Sequence, residues 1–192
     1  MSRPTTPSGV RLCSQNRNKL RELSALLPDW ELEPVEGEYP PETGETYYEN
    51  ARAKALFGPA DEWTLGEDSG LEVEALGGRP GIRSARYGAE GSEANAKLLG
   101  ELEGVESRAA RYVCELVLIG PDGRELRGTG VREGRIATEP SGTEGFGYDP
   151  VFIPEGEEQT VAELGNDWKL RNSHRARAAR ALLGQAGGLL GN

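Results

Sequence analysis

ARYVCELVLIG, residues 110–120, decides the fold. It is the clearest strand in the chain, rich in residues that suit a pleated, buried surface. Pro121-Asp122-Gly123 then turns the chain into a second extended run. The two runs read as a hairpin, so part of the sheet is antiparallel. Elsewhere helices alternate with strands, as in parallel arrangements. The expected architecture is therefore α/β with a mixed sheet.

Working outward from the hairpin, VRLC (10–13) reads as a short buried strand. Leu20, Leu23, Leu26 and Leu27 recur at helical spacing, and Pro28 ends that helix. A turn-rich stretch with three prolines covers 33–45. Thr46 and Glu49 form a capping-box pattern that opens a second helix, running to about Phe57 and stopped by Gly58-Pro59. Residues 63–66 lead as a strand into EDSG, LEVEAL alternates as a second strand, and GGRPG turns the chain. Ser92 is expected to cap a helix with Ala94, Leu98 and Leu102 on one face. GFGYDPVF is a loop running into a strand, and Ser173 is expected to cap a C-terminal helix bearing Ala176, Ala179, Leu182 and Leu183.

The chain has 192 residues, enough for one domain with a sizeable core or one domain with two lobes and a cleft. Its formal net charge is −10. Binding a nucleic-acid polymer calls for a basic face, and no dense basic run precedes the C-terminal helix. A small anion is a different matter, because a metal ion and a few aimed cations suffice for it. The two cysteines, Cys13 and Cys114, lie in apolar strand-like runs and read as buried free thiols. No signal-peptide core opens the chain, and no apolar run nears the roughly 18–20 residues of a membrane span. A cytoplasmic protein without membrane contact is expected. With a single histidine, His174, zinc sites built on several His or Cys ligands are absent.

Several short stretches could carry chemistry. SQNRNK (Ser14, Gln15, Asn16, Arg17, Asn18, Lys19) follows a strand and opens a helix, where backbone N–H groups attract anions. The same residues also read as an ordinary polar cap. Tyr47, Asn50 and Lys54 share one face of the second helix, opposite Tyr48, Ala51 and Ala55. Arginine occurs eighteen times and lysine only four, at 19, 54, 97 and 169. Lysines that fall in otherwise suspect stretches therefore stand out, and a compact ammonium suits a triphosphate.

In LGEDSGLEV (65–73), Glu67 and Asp68 are side by side. They fit three uses: holding Mg²⁺, taking a proton from an attacking water, or sitting solvated at a strand end. Ser69-Gly70 favours close approach of a ligand. Glu42, in a stiff Pro-rich loop, is a further candidate metal ligand. Phe146, Gly147, Tyr148 and Asp149 lie in GFGYDP, where aromatic faces could stack on a base. SHR (173–175) offers His174 and Arg175 at a helix start, just after Lys169.

Taken in order, S-x-N-x-x-K, T-x-x-ENAxxKA, EDSGLxVxALGGxPGxxSARY, GFGYDPxF and K-x-x-x-SHR closely resemble the inosine triphosphate pyrophosphatase family, the noncanonical purine NTP pyrophosphatases. The resemblance runs from about residue 10 to about 185. It implies a single ITPase-like domain over residues 1–192, with an elongated two-lobed fold, a long twisted mixed sheet and a central substrate cleft. It implies hydrolysis of ITP, dITP and XTP to a monophosphate and pyrophosphate, with Mg²⁺ as cofactor, and a homodimer.

Carried over by position, Asp68 becomes the catalytic carboxylate and a metal ligand. Glu42 and Glu67 complete the metal set, although many members have Asp-Asp where this chain has Glu-Asp. Ser14 to Lys19 and Lys54 face the triphosphate, and Ser69 contacts substrate. Phe146 to Asp149, with Lys169, His174 and Arg175, form the base and ribose pocket. Two rival readings differ in chemistry: a Maf-type nucleotide pyrophosphatase acting on other nucleotides, and a nucleotide sensor without turnover.

Overall fold

The computed structural model describes residues 7–39, 41–88 and 91–188. Six strands, β1 (Gly9–Cys13), β2 (Glu31–Pro34), β3 (Thr64–Val73), β4 (Ala109–Ile119), β5 (Glu125–Ile136) and β6 (Phe152–Pro154), hydrogen-bond in the order β2-β1-β3-β4-β5-β6. β1 pairs parallel with both β2 and β3, whereas β5 pairs antiparallel with β6. The sheet is mixed, as the 110–120 stretch implies. The helices are α1 (Arg17–Leu26), α2 (Tyr47–Phe57), α3 (Gly91–Glu101), α4 (Val161–Asn172) and α5 (His174–Gly188). Among the described residues, no helix is long and apolar enough to cross a membrane.

The chain divides into two compact units. The first holds residues up to Asp68, Cys114–Gly130 and the chain from Arg175 onward; the second holds Ser69–Val113 and Val131–His174. In the first unit the sheet is covered on both faces, and strand alternation sorts the side chains. Val10, Leu12, Leu65, Cys114, Leu116 and Leu118 pack with Leu23 and Leu27 of α1 and Ala178, Ala179 and Leu182 of α5. The opposite parity gives Val117, which packs with Ala51 and Ala55 of α2. In the second unit Leu71, Val73, Ala110, Tyr112, Ile136 and Phe152 form a core with Ala94 and Leu98 of α3.

Several local expectations differ from the structure. β3 is one continuous strand through EDSG, so Glu67 and Asp68 are mid-strand and buried, not at a strand end. LEVEAL finishes in a 3-10 turn at Glu74–Leu76. Ser92 lies inside the first turn of α3, which begins at Gly91. β2 goes unrecognised in the turn-rich region because it is only four residues long and mostly exposed. α4 is also unrecognised, although Thr160 and Glu163 make the same capping box as Thr46 and Glu49. A non-helical Gly165 (φ 84°, ψ 175°) interrupts its apolar period, which hides it from a periodicity search.

Candidate active site

β3 carries the centre of the first unit's site. A Cβ on Gly66 would lie 1.9 Å from the Ala51 carbonyl oxygen and 2.7 Å from the Ala55 nitrogen. Glycine therefore lets α2 rest directly on the strand. One step along on the same strand face, Asp68 meets the α2 stripe of Asn50 and Lys54. Asn50 Nδ2 donates to Asp68 Oδ2 at 3.2 Å, and Lys54 Nζ donates to Asp68 Oδ1 at 2.9 Å. Lys54 also donates to the Glu67 carbonyl at 3.1 Å and lies 2.5 Å from Glu42 Oε1. Asn50 Oδ1 accepts the Gly44 N–H at 2.9 Å, which ties the loop carrying Glu42 to the same helix. Two carboxylates thus converge on one ammonium.

Glu67, on the other face, is fully buried at 0% exposure. Its Oε1 accepts from Arg175 Nη2 at 3.0 Å and Nε at 3.3 Å, and Lys19 Nζ lies 2.6 Å from its Oε2. Arg175, also buried at 2% exposure, donates from Nη1 to Glu22 of α1 as well.

The two acids differ electrostatically. Burial opposes ionisation of Glu67, but the charges of Lys19, Arg175 and Lys54 overcome it and hold the carboxyl well below its ordinary range. For Asp68 burial dominates, only partly countered by Lys54, and its carboxyl titrates above the usual value. Burial lowers the pKa of Lys54, but Asp68, Glu67 and Glu42 together raise it and keep the ammonium charged.

Of the three expected metal ligands, Glu42 and Asp68 face Lys54, whereas Glu67 faces Lys19 and Arg175. Alternation turns Glu67 away from its neighbour, onto two cations. The start of α1 is capped by side chains of the same stretch. Asn16 is its cap, and its Oδ1 accepts from the N–H groups of Asn18 (3.0 Å) and Lys19 (3.2 Å). Ser14 Oγ accepts the Asn16 N–H at 3.2 Å. Gln15 Nε2 donates to the Gly37 carbonyl, and Ser14 to Arg17 line an open cavity of about 540 Å³ with Arg21 and residues 34–37.

The second unit has its own cluster. Asp149 Oδ2 accepts from the Phe146 N–H and from Lys169 Nζ, both at 2.7 Å, and both members of this ion pair are buried. The Lys169 ammonium sits 4.4 Å from the centroid of the Phe146 ring. His174 stacks on Tyr112, with centroids 4.4 Å apart and rings 7° from parallel. Asn95 Nδ2 donates to the Gly147 carbonyl, and the Tyr148 hydroxyl donates to the Ser84 carbonyl. Ser69 is half-buried on β3. Arg175, expected beside Lys169 and His174, instead has its guanidinium taken up by Glu67 and Glu22 in the first unit.

Residue patterns did not link Glu22, Cys114 or Tyr112 to the site, where their partners are Arg175, Glu67 and His174. For Glu22 a signal existed: it follows Lys19 by three residues, on the same helix face.

The Ham1 family model matches residues 10–185 of the chain. Proteins named dITP/XTP pyrophosphatase from Gloeobacter violaceus and Bdellovibrio bacteriovorus are each 44% identical to it. The first match covers 90% of this chain and 91% of the relative; the second covers 90% and 94%. Among solved structures, the Staphylococcus aureus Ham1 protein superposes with a TM-score of 0.84 at 33% identity, covering 94% of this chain and 98% of that one. A HAM1 protein from Coxiella burnetii gives a TM-score of 0.81 at 35% identity, covering 96% and 99%.

Proposed function

Because the chain belongs to the Ham1 family, we propose that it hydrolyses noncanonical purine nucleoside triphosphates, ITP, dITP and XTP, to a nucleoside monophosphate and pyrophosphate. Relatives at 44% identity carry the name dITP/XTP pyrophosphatase. The observation that carries the chemistry is Asp68: buried, raised above its usual carboxylate range by that burial, and gripped by Asn50 and Lys54 beside Glu42.

The reaction adds water oxygen to the α-phosphorus and breaks the α–β phosphoanhydride bond. Asp68 accepts the proton of the attacking water. Asn50 holds the carboxylate's orientation. Lys54 and Lys19 offset charge on the triphosphate and on the departing pyrophosphate. Mg²⁺ fits this set, since Glu42 and Asp68 already converge on one cation and Mg²⁺ takes one or two carboxylates, with water and phosphate oxygens for the rest. When bound it would polarise phosphoryl oxygens and neutralise charge.

Base choice belongs to the second unit. A 6-oxo purine presents an acceptor where adenine presents an amino donor. The Lys169 ammonium pairs with the first and leaves a donor facing a donor with the second. An unpaired buried donor costs about 1–3 kcal/mol, roughly 5- to 150-fold in discrimination. The Phe146 ring offers a face for base stacking. The same reading makes the chain one catalytic domain, because the family model runs without a break through both units. A homodimer agrees with the resemblance, and a reducing cytoplasm agrees with two buried free thiols.

The test is product analysis with Mg²⁺ across ITP, dITP, XTP, GTP, ATP and dTTP, resolving pyrophosphate from orthophosphate, with and without a chelator. Pyrophosphate from the first three, lost on chelation, is expected. Activity on dTTP with none on ITP would favour a Maf-type enzyme. ITP binding without product would favour a sensor.

A further inference from the structure

We propose that Glu67 is a positioning residue and not a metal ligand: its carboxylate clamps Lys19 and Arg175 and so sets where Lys19 meets the triphosphate. This rests on the proposed pyrophosphatase reaction. Glu67 and Asp68 are adjacent on a continuous strand, so their side chains leave on opposite faces. Asp68 meets α2, and Glu67 meets α1 and α5.

Both Glu67 oxygens are committed. Oε1 takes two guanidinium nitrogens and lies 3.6 Å from the Cys114 thiol, and Oε2 takes the Lys19 ammonium. Mg²⁺ would need an oxygen at about 2.1 Å and room for its waters. The side chain has no exposed surface for them. The contacts also close a ring. Lys19 and Glu22 lie three apart on α1, Glu22 binds Arg175, Arg175 binds Glu67, and Glu67 binds Lys19. The four charges cancel. A Lys19 held at both its helix and its ammonium has little rotamer freedom left to lose when phosphate arrives. The lysine side chain keeps 14% exposure, against 0% for Glu67.

The length of Glu67 is part of the device. Glu67→Asp keeps the charge but loses one methylene, too short to hold both cations at their present distances. The experiment measures KM and kcat for pyrophosphate release from ITP, and calorimetric binding of the α,β-methylene analogue of ITP. It compares wild type, Glu67→Asp, Glu67→Gln, Lys19→Ala and the double variants with Lys19→Ala.

Glu67→Asp should raise KM about tenfold with kcat within about threefold, and should change KM less than about twofold once Lys19 is gone. Analogue affinity should follow KM. The Mg²⁺ concentration for half-maximal rate should stay within about twofold of wild type. A rise in that concentration in both backgrounds would make Glu67 a metal ligand and overturn the proposal. Equal KM effects with and without Lys19 would also overturn it, as would failure of both Glu67 variants to fold by circular dichroism. A wild type that neither binds the analogue nor releases pyrophosphate would sink the pyrophosphatase reading itself. A wild type that does both, with additive variants, would sink only this inference.

Discussion

Glu67 and Asp68 are joined by one peptide bond and serve different partners. Strand alternation sends them to opposite faces, and the cations waiting there set their character. The charges of Lys19, Arg175 and Lys54 outweigh the burial of Glu67, whereas at Asp68 burial wins over Lys54 and Lys19. Asp68→Asn removes the proton acceptor while keeping shape and a hydrogen-bonding oxygen. It should lower kcat about 10²- to 10⁴-fold and leave calorimetric affinity for the substrate analogue within a few-fold. Turnover close to wild type would remove Asp68 from the chemistry. The residue types of this site, Glu42, Lys19, Lys54 and Asp68, were legible in the sequence. The pairing of Arg175 with Glu67 was not, because the two residues are 108 positions apart and no local spacing links them.

At the scale of elements, glycine decides how closely helices approach the sheet. Gly66 admits α2, and Gly128, where a Cβ would lie 2.2 Å from the Ala178 carbonyl oxygen, admits α5 on the other face. Gly66→Ala puts a methyl into backbone that cannot rotate away, so it should destabilise by about 3 kcal/mol or more and also move Asn50 and Lys54 off Asp68. Gly184, within α5, has nothing within 4 Å of an added Cβ. Gly184→Ala should stabilise by about 0.5–1 kcal/mol through helix propensity. Urea unfolding midpoints of the two variants test the contrast; equal shifts would mean that close packing of α2 is not what Gly66 serves. Elements with strong local signals (β1, α1, α2 and the β4–β5 hairpin) could be read from residue patterns. β2 could not, since an exposed four-residue edge strand has no hydrophobic period and exists only because β1 offers it a partner.

Across the whole molecule, the formal charge of −10 sets what the surface attracts. The cations at the candidate site are local, and carboxylates offset each of them. A polyanion that must lie along an extended face meets net repulsion. The chain should therefore show no retention on duplex DNA at about 0.15 M salt, measured by gel shift or column elution. Salt-sensitive retention would show that a basic face exists after all. A triphosphate needs only the few cations of a single site, so the same acidic surface is compatible with the proposed substrate.

The sequence by itself determined the α/β class, the mixed sheet, the family resemblance and the short list of residues able to carry the chemistry. Those depend on alternation, helical period, caps and motif order, all of which are local in the chain. The tertiary structure alone decided which members of that list work together: Asp68 with Asn50, Lys54 and Glu42, but Glu67 with Lys19 and Arg175. The physical reason is that a buried charge takes its character from whichever opposite charges packing brings within about 3 Å of it. Those partners come from helices far apart in sequence, two of which rest on the sheet over glycines, α2 at Gly66 and α5 at Gly128.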